Sequence, residues 1–312
     1  MTGIYYHDLF GRHLDGYGHV ESSARYRAVM ERLRDCPFTD RLEFVEAVPA
    51  DRDVIVAVHE HEYVDGILSL EIDDAVVLDQ GDTVATPDTP RAALHAAGAG
   101  VQAARDLLDG RFTSAFCPVR PPGHHAERDR AMGFCLFNNI AIAARWLTGE
   151  AGLGRVAVVD WDIHHGNGTE GIFLDDPRVL YVSLHQYPHY PGTGHCDTVG
   201  TGEGTGYTLN IPLGAGSDDA KYREEFEDRI LPALDRFEPQ MILISAGFDA
   251  HADDPLSGAR LSTGMFAEMT GMLAGAAEKH CGGKILSLLE GGYDLGALAD
   301  SVEAHVGVLA RK

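Results

Sequence analysis

Short apolar runs recur along the chain, and longer stretches with helical spacing of apolar residues separate them. The runs are TSAFCPV (113–119), RVAVVDW (155–161), RVLYVSL (178–184), YTLNIPL (207–213), QMILISA (240–246) and KILSLLE (284–290). The helical stretches lie near 22–35, 88–109, 138–147, 218–236, 262–280 and 294–309. Near-continuous apolar strands that alternate with amphipathic helices are typical of a parallel sheet covered on both faces. The sequence therefore predicts an α/β fold with a mostly parallel central sheet between helices.

The chain shows no internal repeat, heptad run or linker, which favours one domain over two for its 312 residues. Its apolar runs are far shorter than the ~20 residues of a membrane-spanning helix. The first residues lack the charged and then apolar pattern of a signal peptide. We therefore expect a cytoplasmic protein with no membrane partner. The five cysteines, odd in number and without a CxxC pair, suggest reduced thiols.

The net charge is −23 at neutral pH, which argues against nucleic acid as a partner because phosphates would be repelled. We favour the interpretation that the excess of acidic residues only forms a solvated surface, and attraction of cationic substrates is the alternative.

Polar clusters follow four of the predicted strands. They are RPPGHHAE (120–127), DIHHGNG (162–168), GFDAHADDP (247–255) and GGYD (291–294). Ligands of open α/β sheets bind at the carboxyl ends of the strands. We therefore expect all four clusters at one edge of the sheet.

One cluster has the residue types of a metal site. Strand alternation places Asp160, Asp162 and His164 on one face, and Asp249 supplies a further carboxylate from another strand end. Two carboxylates and one imidazole leave open positions on a zinc ion, which is the pattern of a catalytic site. The alternative is a set of hydrogen-bonded polar residues, but burying so many titratable groups without an ion is costly.

Other residues at this edge suit proton transfer. His124 and His125 follow the rigid turn at 121–123 and could move protons beside a metal-bound water. Tyr293 follows two glycines and could donate to a developing oxyanion. Phe134 and Tyr190 could form the walls of a narrow channel, with ordinary packing as the alternative.

Taken together, these motifs resemble the zinc-dependent histone deacetylase and acetylpolyamine amidohydrolase family, in particular its class II branch and bacterial relatives. The motifs run in order from about Tyr6 to Leu295: RPPGHHAE, GFCLFNN, DWDIHHGNGT, VSLHQYPHYPGTG, NIPL, SAGFDAHADDPLSG and LEGGYDL. The resemblance implies the arginase-deacetylase fold, one catalytic domain over residues 1–312, and removal of acetyl or short acyl groups from acyl-lysine or a related amine.

The resemblance also implies a role for each residue of the site. Zinc would be held by Asp162, His164 and Asp249. His125 resembles the general base, oriented by Asn167, and His124 its electrostatic or proton-shuttling partner, bonded to Asp160. Tyr293 resembles the hydroxyl that polarises the carbonyl. The substrate channel would include Gly133, Phe134, Tyr190, Leu256 and Gly292.

Potassium is a further cofactor of the resembled family. One matching set is Asp160, Asp162, His164, Ser183 and Leu184, and a second is Phe173, Asp176, Val179 and Tyr207. Leu256 stands where a polyamine-preferring member carries an acidic residue, which favours a substrate with a neutral stem. An acetylpolyamine amidohydrolase and a secondary-metabolite amidase are the alternatives, followed by a non-catalytic acyl-binding protein and a two-manganese ureohydrolase.

The chain departs from the family pattern at three places. Residues 19–25 read HVESSAR and lack both prolines of the usual HPE-x-P-x-R segment, which leaves the shape of the entrance loop open. His251 stands where ureohydrolases carry a carboxylate ligand of a second metal, although Gly166 replaces another ligand of such a site. Tyr190 replaces the more usual phenylalanine. The oligomeric state is also left open.

Overall fold

The computed structural model describes residues 1–81 and 83–311. Its strands are β1 (Thr2–Tyr6), β2 (Leu42–Glu46), β3 (Val76–Val77), β4 (Val84–Ala85), β5 (Ser114–Cys117), β6 (Val156–Asp160), β7 (Val179–Gln186), β8 (Thr208–Leu213), β9 (Met241–Ala246) and β10 (Ile285–Leu289). Eight of them form one sheet in the order β2-β1-β5-β10-β9-β6-β7-β8, and every neighbouring pair is parallel. The short strands β3 and β4 form a separate antiparallel pair.

Ten α-helices connect and cover these strands in the described residues. They are α1 (Ser23–Asp35), α2 (Arg52–Val56), α3 (His61–Leu68), α4 (Thr89–Leu108), α5 (Asn139–Thr148), α6 (Asn167–Phe173), α7 (Asp219–Glu225), α8 (Leu231–Phe237), α9 (Thr263–Cys281) and α10 (Leu295–Leu309). A π-helical turn, Phe226–Ile230, joins α7 to α8. Short 3-10 helices lie at Asp8–Gly11, Thr39–Arg41 and Gly202–Gly204. None of these described helices has the length and apolar character needed to cross a membrane.

Alternate residues of the central strands point into two separate apolar layers. In β6, Ala157 and Val159 belong to the layer that contains the buried residues of α9 and α10. Val156 and Val158 belong to the opposite layer, with the buried residues of α4 and α5. A strand buried on both faces cannot show polar alternation, which is why its sequence is a continuous apolar run. The predicted α/β fold, with a parallel sheet between helices, is confirmed.

The sheet order brings the predicted polar clusters together. The strands β5, β10, β9 and β6 are consecutive neighbours, and each is directly followed by one of the four clusters. Because these strands are parallel, their carboxyl ends lie at the same edge. All four clusters therefore meet above the middle of the sheet, as the sequence predicts.

Candidate active site

A buried cluster of two carboxylates and one imidazole lies where β6 and β9 end. Ligand atoms of Asp162, His164 and Asp249 all lie within 4.8 Å of one another. His164 Nδ1 is 3.0 Å from Asp162 Oδ1 and 3.1 Å from Asp249 Oδ2. Backbone amides orient the carboxylates: Ile163 N donates to Asp249 Oδ1 at 2.9 Å, and Gly291 N donates to Asp162 Oδ2 at 2.8 Å.

These residues fit a divalent cation. Oxygen and imidazole donors in this number are ordinary zinc ligands. Burial, together with the charge of the neighbouring Asp162, raises the pKa of Asp249 to about 7, although His164 opposes this shift. A cation bound between the two carboxylates would offset the repulsion between their charges. Gly291 allows the close approach, because a Cβ atom there would lie 2.1 Å from Asp249 Oδ2.

The tandem histidines lie beside this cluster with different charges. Burial opposes a charge on His124, but the carboxylates of Asp160 and Asp162 outweigh this effect and raise the His124 pKa to about 10. His124 Nδ1 donates to Asp160 Oδ2 at 3.0 Å. Burial and then the charges of His124 and His164 hold the pKa of His125 well below its ordinary value. The pair therefore combines an imidazolium with a neutral imidazole.

Asn167 fixes the tautomer of the neutral ring. Its Nδ2 donates to Glu127 Oε1 at 2.7 Å, and because a carboxylate only accepts, the amide oxygen faces His125. That oxygen lies 2.8 Å from His125 Nδ1, which must carry the hydrogen. The lone pair of His125 is therefore on Nε2. The structure thus places Asn167 beside His125, and its role in orienting a general base stays a prediction.

A cavity of about 250 Å³ opens next to the cluster. Its lining consists of His125, Gly133, Phe134, His164, His189, Tyr190, Leu256 and Tyr293. Four of the five predicted channel residues thus line it. Gly292 is not among these lining residues: a Cβ atom on it would point toward Phe248 and Leu298, and its carbonyl accepts a hydrogen bond from Arg25 Nε at 2.6 Å. The predicted contact of Gly292 with substrate therefore has no support in the geometry.

The Tyr293 side chain forms part of the cavity wall. Its ring packs under the guanidinium of Arg25, which lies 5.0 Å from the ring centroid. Its backbone amide donates to Asp254 Oδ2 at 2.6 Å. Burial and the charge of Asp249 raise the pKa of Tyr293 well above its ordinary value. The phenol therefore keeps its proton at neutral pH and can donate a hydrogen bond.

Residues 19–25 contribute less to the entrance than the sequence suggests. Glu21 and Arg25 are fully buried, together with Arg120 from the loop after β5. Glu21 accepts from Arg25 Nη1 at 2.7 Å and from Arg120 Nε at 2.5 Å. Arg25 also donates to the carbonyl of Glu290 at 2.5 Å. The segment therefore supports the loop that carries Tyr293.

His19 is the residue of this segment that reaches the channel, because its ring lies 4.8 Å from that of Phe134.

His251 points away from the metal-ligand cluster. Its Nε2 lies 3.2 Å from Thr263 Oγ1, and its Nδ1 accepts from the amide of Asp253 at 3.1 Å. Its ring stacks on Phe266. Position 166 has no room for a ligating side chain, because a Cβ atom on Gly166 would lie 2.3 Å from Asp160 Oδ2. Neither position offers a ligand for a second metal.

The predicted potassium residues form two groups around β7. In the first, Asp160 pairs in register with Ser183 across β6 and β7. The second surrounds the turn between α6 and β7 and the start of β8: Phe173, Asp176, Val179 and Tyr207. The Asp176 carboxylate accepts from Arg145 and Arg178, each at 2.7 Å, and its backbone carbonyl accepts from the amide of Val179 at 3.2 Å. Potassium binding stays a prediction.

Comparison with known proteins matches this arrangement. The histone deacetylase domain family matches residues 19–309. A probable deacetylase of Archaeoglobus fulgidus is 40% identical, over 99% of this chain and 86% of the relative. A histone deacetylase-like amidohydrolase of Pseudomonas aeruginosa is 39% identical, over 88% of this chain and 73% of the relative.

A solved structure, described as the crystal structure of the HDA15 HD domain, superposes with a TM-score of 0.93 at 38% identity. The match covers 99% of this chain and 88% of that one, which confirms the predicted arginase-deacetylase fold. Family match, sequence identity and fold agree, and the chain therefore belongs to the histone deacetylase family.

Proposed function

We propose that the protein is a zinc-dependent amide hydrolase that removes acetyl or short acyl groups from acyl-lysine or a related amine. One observation carries this proposal: His164 of the Asp162–His164–Asp249 cluster, His125 and Tyr293 all line one cavity. A metal site, a base and an oxyanion donor are the groups that amide hydrolysis needs. Potassium at the sites near β7 and a cytoplasmic location belong to the same proposal.

Asp162, His164 and Asp249 would hold the zinc ion. When bound, zinc supplies Lewis-acid polarisation of a carbonyl and lowers the pKa of a water molecule to ~7. His125 Nε2 would accept a proton from the attacking water, since its Nδ1 is committed to Asn167. Tyr293 would donate to the developing oxyanion, a type of interaction that strengthens as charge develops.

The charged His124 supports this proton transfer. Its ring lies next to that of His125, with the centroids 4.0 Å apart, so its imidazolium would stabilise the negative charge that forms during attack, and the proton taken up by His125 would pass to the departing nitrogen. Water adds to the acyl carbon, the carbon–nitrogen bond breaks, and the products are a short carboxylate and a free amine. His124 keeps its charge through its hydrogen bond with Asp160.

The cavity lining favours a substrate with a neutral stem. Phe134, Tyr190 and Leu256 provide apolar walls, and no carboxylate side chain is among the residues that line this cavity in the described structure. Acyl-lysine, whose amide-bearing chain is uncharged, suits such walls. The alternative is an acetylpolyamine or secondary-metabolite amidase with the same chemistry, which the net charge of −23 would also suit.

A substrate panel with metal analysis of the same preparation tests the proposal. We expect one zinc per chain and faster hydrolysis of acetyl-lysine peptides than of acetylputrescine or acetylspermidine. Faster polyamine hydrolysis would favour the alternative. Binding without turnover of any amide would indicate an acyl-binding protein, and two manganese ions with urea release would indicate a ureohydrolase.

Replacement of Tyr293 by phenylalanine tests the role of its hydroxyl. We expect kcat to fall by roughly a hundredfold to a thousandfold, the usual cost of losing one oxyanion donor, while zinc content stays unchanged. Tyr17→Phe is the matched control, because Tyr17 is 40% exposed and lies outside the cavity lining. Normal turnover of Tyr293→Phe would contradict this role.

A further inference from the structure

His189 is a polar residue of the cavity wall that the proposed reaction does not use. Its ring stacks on His164 with the centroids 5.0 Å apart and the planes at 20°. It therefore lies at the depth of the metal-ligand cluster, where the acyl group of a substrate has to sit. Its Nε2 is 3.1 Å from the carbonyl oxygen of Leu256, and because a carbonyl only accepts, Nε2 is the donor.

The Leu256 segment is itself linked to the loop of Tyr293. Asp254 makes this link, since one carboxylate oxygen accepts from the amide of Leu256 at 2.9 Å and the other from the amide of Tyr293 at 2.6 Å. Asp254 is 7% exposed, so these bonds are shielded from water. The bond from His189 thus joins the loop at 187–194 to a wall that already extends from Leu256 to Tyr293.

The loop at 187–194 has separate anchors on its far side. Two buried histidines hold it: His165 Nδ1 lies 2.7 Å from Thr193 Oγ1, and His185 Nε2 donates to the carbonyl of Gly194 at 2.9 Å. Gly194 has φ +87°, and a Cβ atom there would lie 2.3 Å from His185 Nε2. Thr193 and Gly194 are therefore held independently of the His189 bond.

We propose that His189 is a specificity-determining residue. By donating to the Leu256 carbonyl, it closes the channel wall between the two loops and fixes the width of the space for the acyl group. A closed wall favours acetyl over longer acyl chains, because a longer chain needs the loops to separate. This inference rests on the proposed amide hydrolase activity.

Two substitutions separate the hydrogen bond from the ring. His189→Phe keeps a flat ring against His164 but has no donor, whereas His189→Gln places an amide donor near the position of Nε2 and loses the ring. His195→Phe is the matched control, because His195 directly follows the loop at 187–194 and its side chain is 57% exposed. Each variant is assayed for kcat/KM on acetyl-lysine and butyryl-lysine peptides, together with zinc content and Tm.

We expect His189→Phe to raise the ratio of butyryl to acetyl kcat/KM about fivefold, the size of effect that one intramolecular hydrogen bond gives. His189→Gln and His195→Phe should keep the ratio within about twofold of the unchanged protein. The inference is overturned if His189→Phe keeps the original ratio, or if His189→Gln shifts it as much as His189→Phe. If the unchanged protein hydrolyses neither peptide, it is the proposed function that fails. A ratio is insensitive to a loss of folded or zinc-loaded protein.

Discussion

Replacing Glu21 by glutamine should destabilise the protein strongly, although the two side chains have the same shape. The Glu21 carboxylate is fully buried between two guanidinium groups that are also fully buried, those of Arg25 and Arg120. Arg120 contacts it twice, through Nε at 2.5 Å and Nη2 at 2.6 Å. A glutamine would leave two buried positive charges without a counter-charge.

The magnitude follows from the burial of all three groups. Removing one partner of a buried ion pair costs about 3–5 kcal/mol, because the remaining charge is left uncompensated. In a chain of this size, 1 kcal/mol shifts Tm by roughly 2 °C, so we expect Glu21→Gln to lower Tm by roughly 6–10 °C.

The loss of stability caused by Glu21→Gln should not change with pH between pH 5 and pH 8. Burial opposes ionisation of Glu21, but Arg120, His13 and Arg25 together hold its pKa well below the ordinary value. A carboxylate with a lowered pKa stabilises the fold at every pH above its unfolded pKa, and the stabilisation is lost only as the pH falls toward the folded pKa. The difference in unfolding free energy should therefore be the same at pH 5 and pH 8.

Urea unfolding followed by circular dichroism, at both pH values, measures this difference. Asp65→Asn is the control, because Asp65 forms a comparable two-point ion pair with Arg52 at the surface. Such exposed pairs contribute little to stability, because water and salt screen the two charges. If Glu21→Gln is no more destabilising than Asp65→Asn, the buried charges are compensated in another way and the reasoning is refuted.

Two further substitutions address the site. Gly291→Ala should abolish metal binding, because the added methyl group would lie 2.1 Å from Asp249 Oδ2. Metal analysis of the purified variant checks this. Gly275→Ala is the control, because a methyl group at position 275 would meet open space. Asn167→Ala should lower kcat roughly tenfold to a hundredfold with KM and metal content nearly unchanged, because His125 loses the partner that fixes its tautomer. Steady-state kinetics measure this. An unchanged kcat would mean that another group fixes the tautomer of His125.

The six predicted strands lie within two residues of their positions in the structure because each is buried on both faces. The sequence signal is weaker elsewhere. The strands β1 and β2 include Gly3 and the charged residues Glu43 and Glu46, which interrupt the apolar pattern. The helix α6 begins within the glycine-rich DIHHGNG segment, where Gly168 is needed because a Cβ atom would lie 2.2 Å from the Ala126 carbonyl.

The predicted site residues share one property: they directly follow strands whose ends must meet. Asp162, His164 and Asp249 could be brought together on that ground alone. The supporting network could not, because Glu21 contacts Arg120 across 99 positions, and no spacing rule selects that partner. The same holds for Asp254, whose two bonds depend on how two loops pack. The sequence indicates which groups converge at the edge of the sheet, whereas tertiary packing decides which charged side chains pair to hold the loops.

Glu290, at the end of β10, offers a test of this supporting layer. One of its carboxylate oxygens accepts from the amides of Gly123 at 2.7 Å and His124 at 3.1 Å, and the other from Ser245 Oγ at 3.2 Å. Burial is the main cause that raises its pKa from 4.5 to about 7. The folded protein thus binds a proton that the unfolded chain releases, and ionisation of Glu290 destabilises the fold as the pH rises through this range.

A shift from 4.5 to about 7 corresponds to about 3 kcal/mol, at 1.36 kcal/mol for each pH unit. Glutamine retains an acceptor for the two amides and cannot ionise, so Glu290→Gln should match the original stability at pH 4 and exceed it by up to about 3 kcal/mol at pH 8. Urea unfolding of the chelator-treated protein at the two pH values measures this. Parallel pH profiles of the two proteins would show that Glu290 does not titrate in this range, and that the amides of Gly123 and His124 stabilise its charged form.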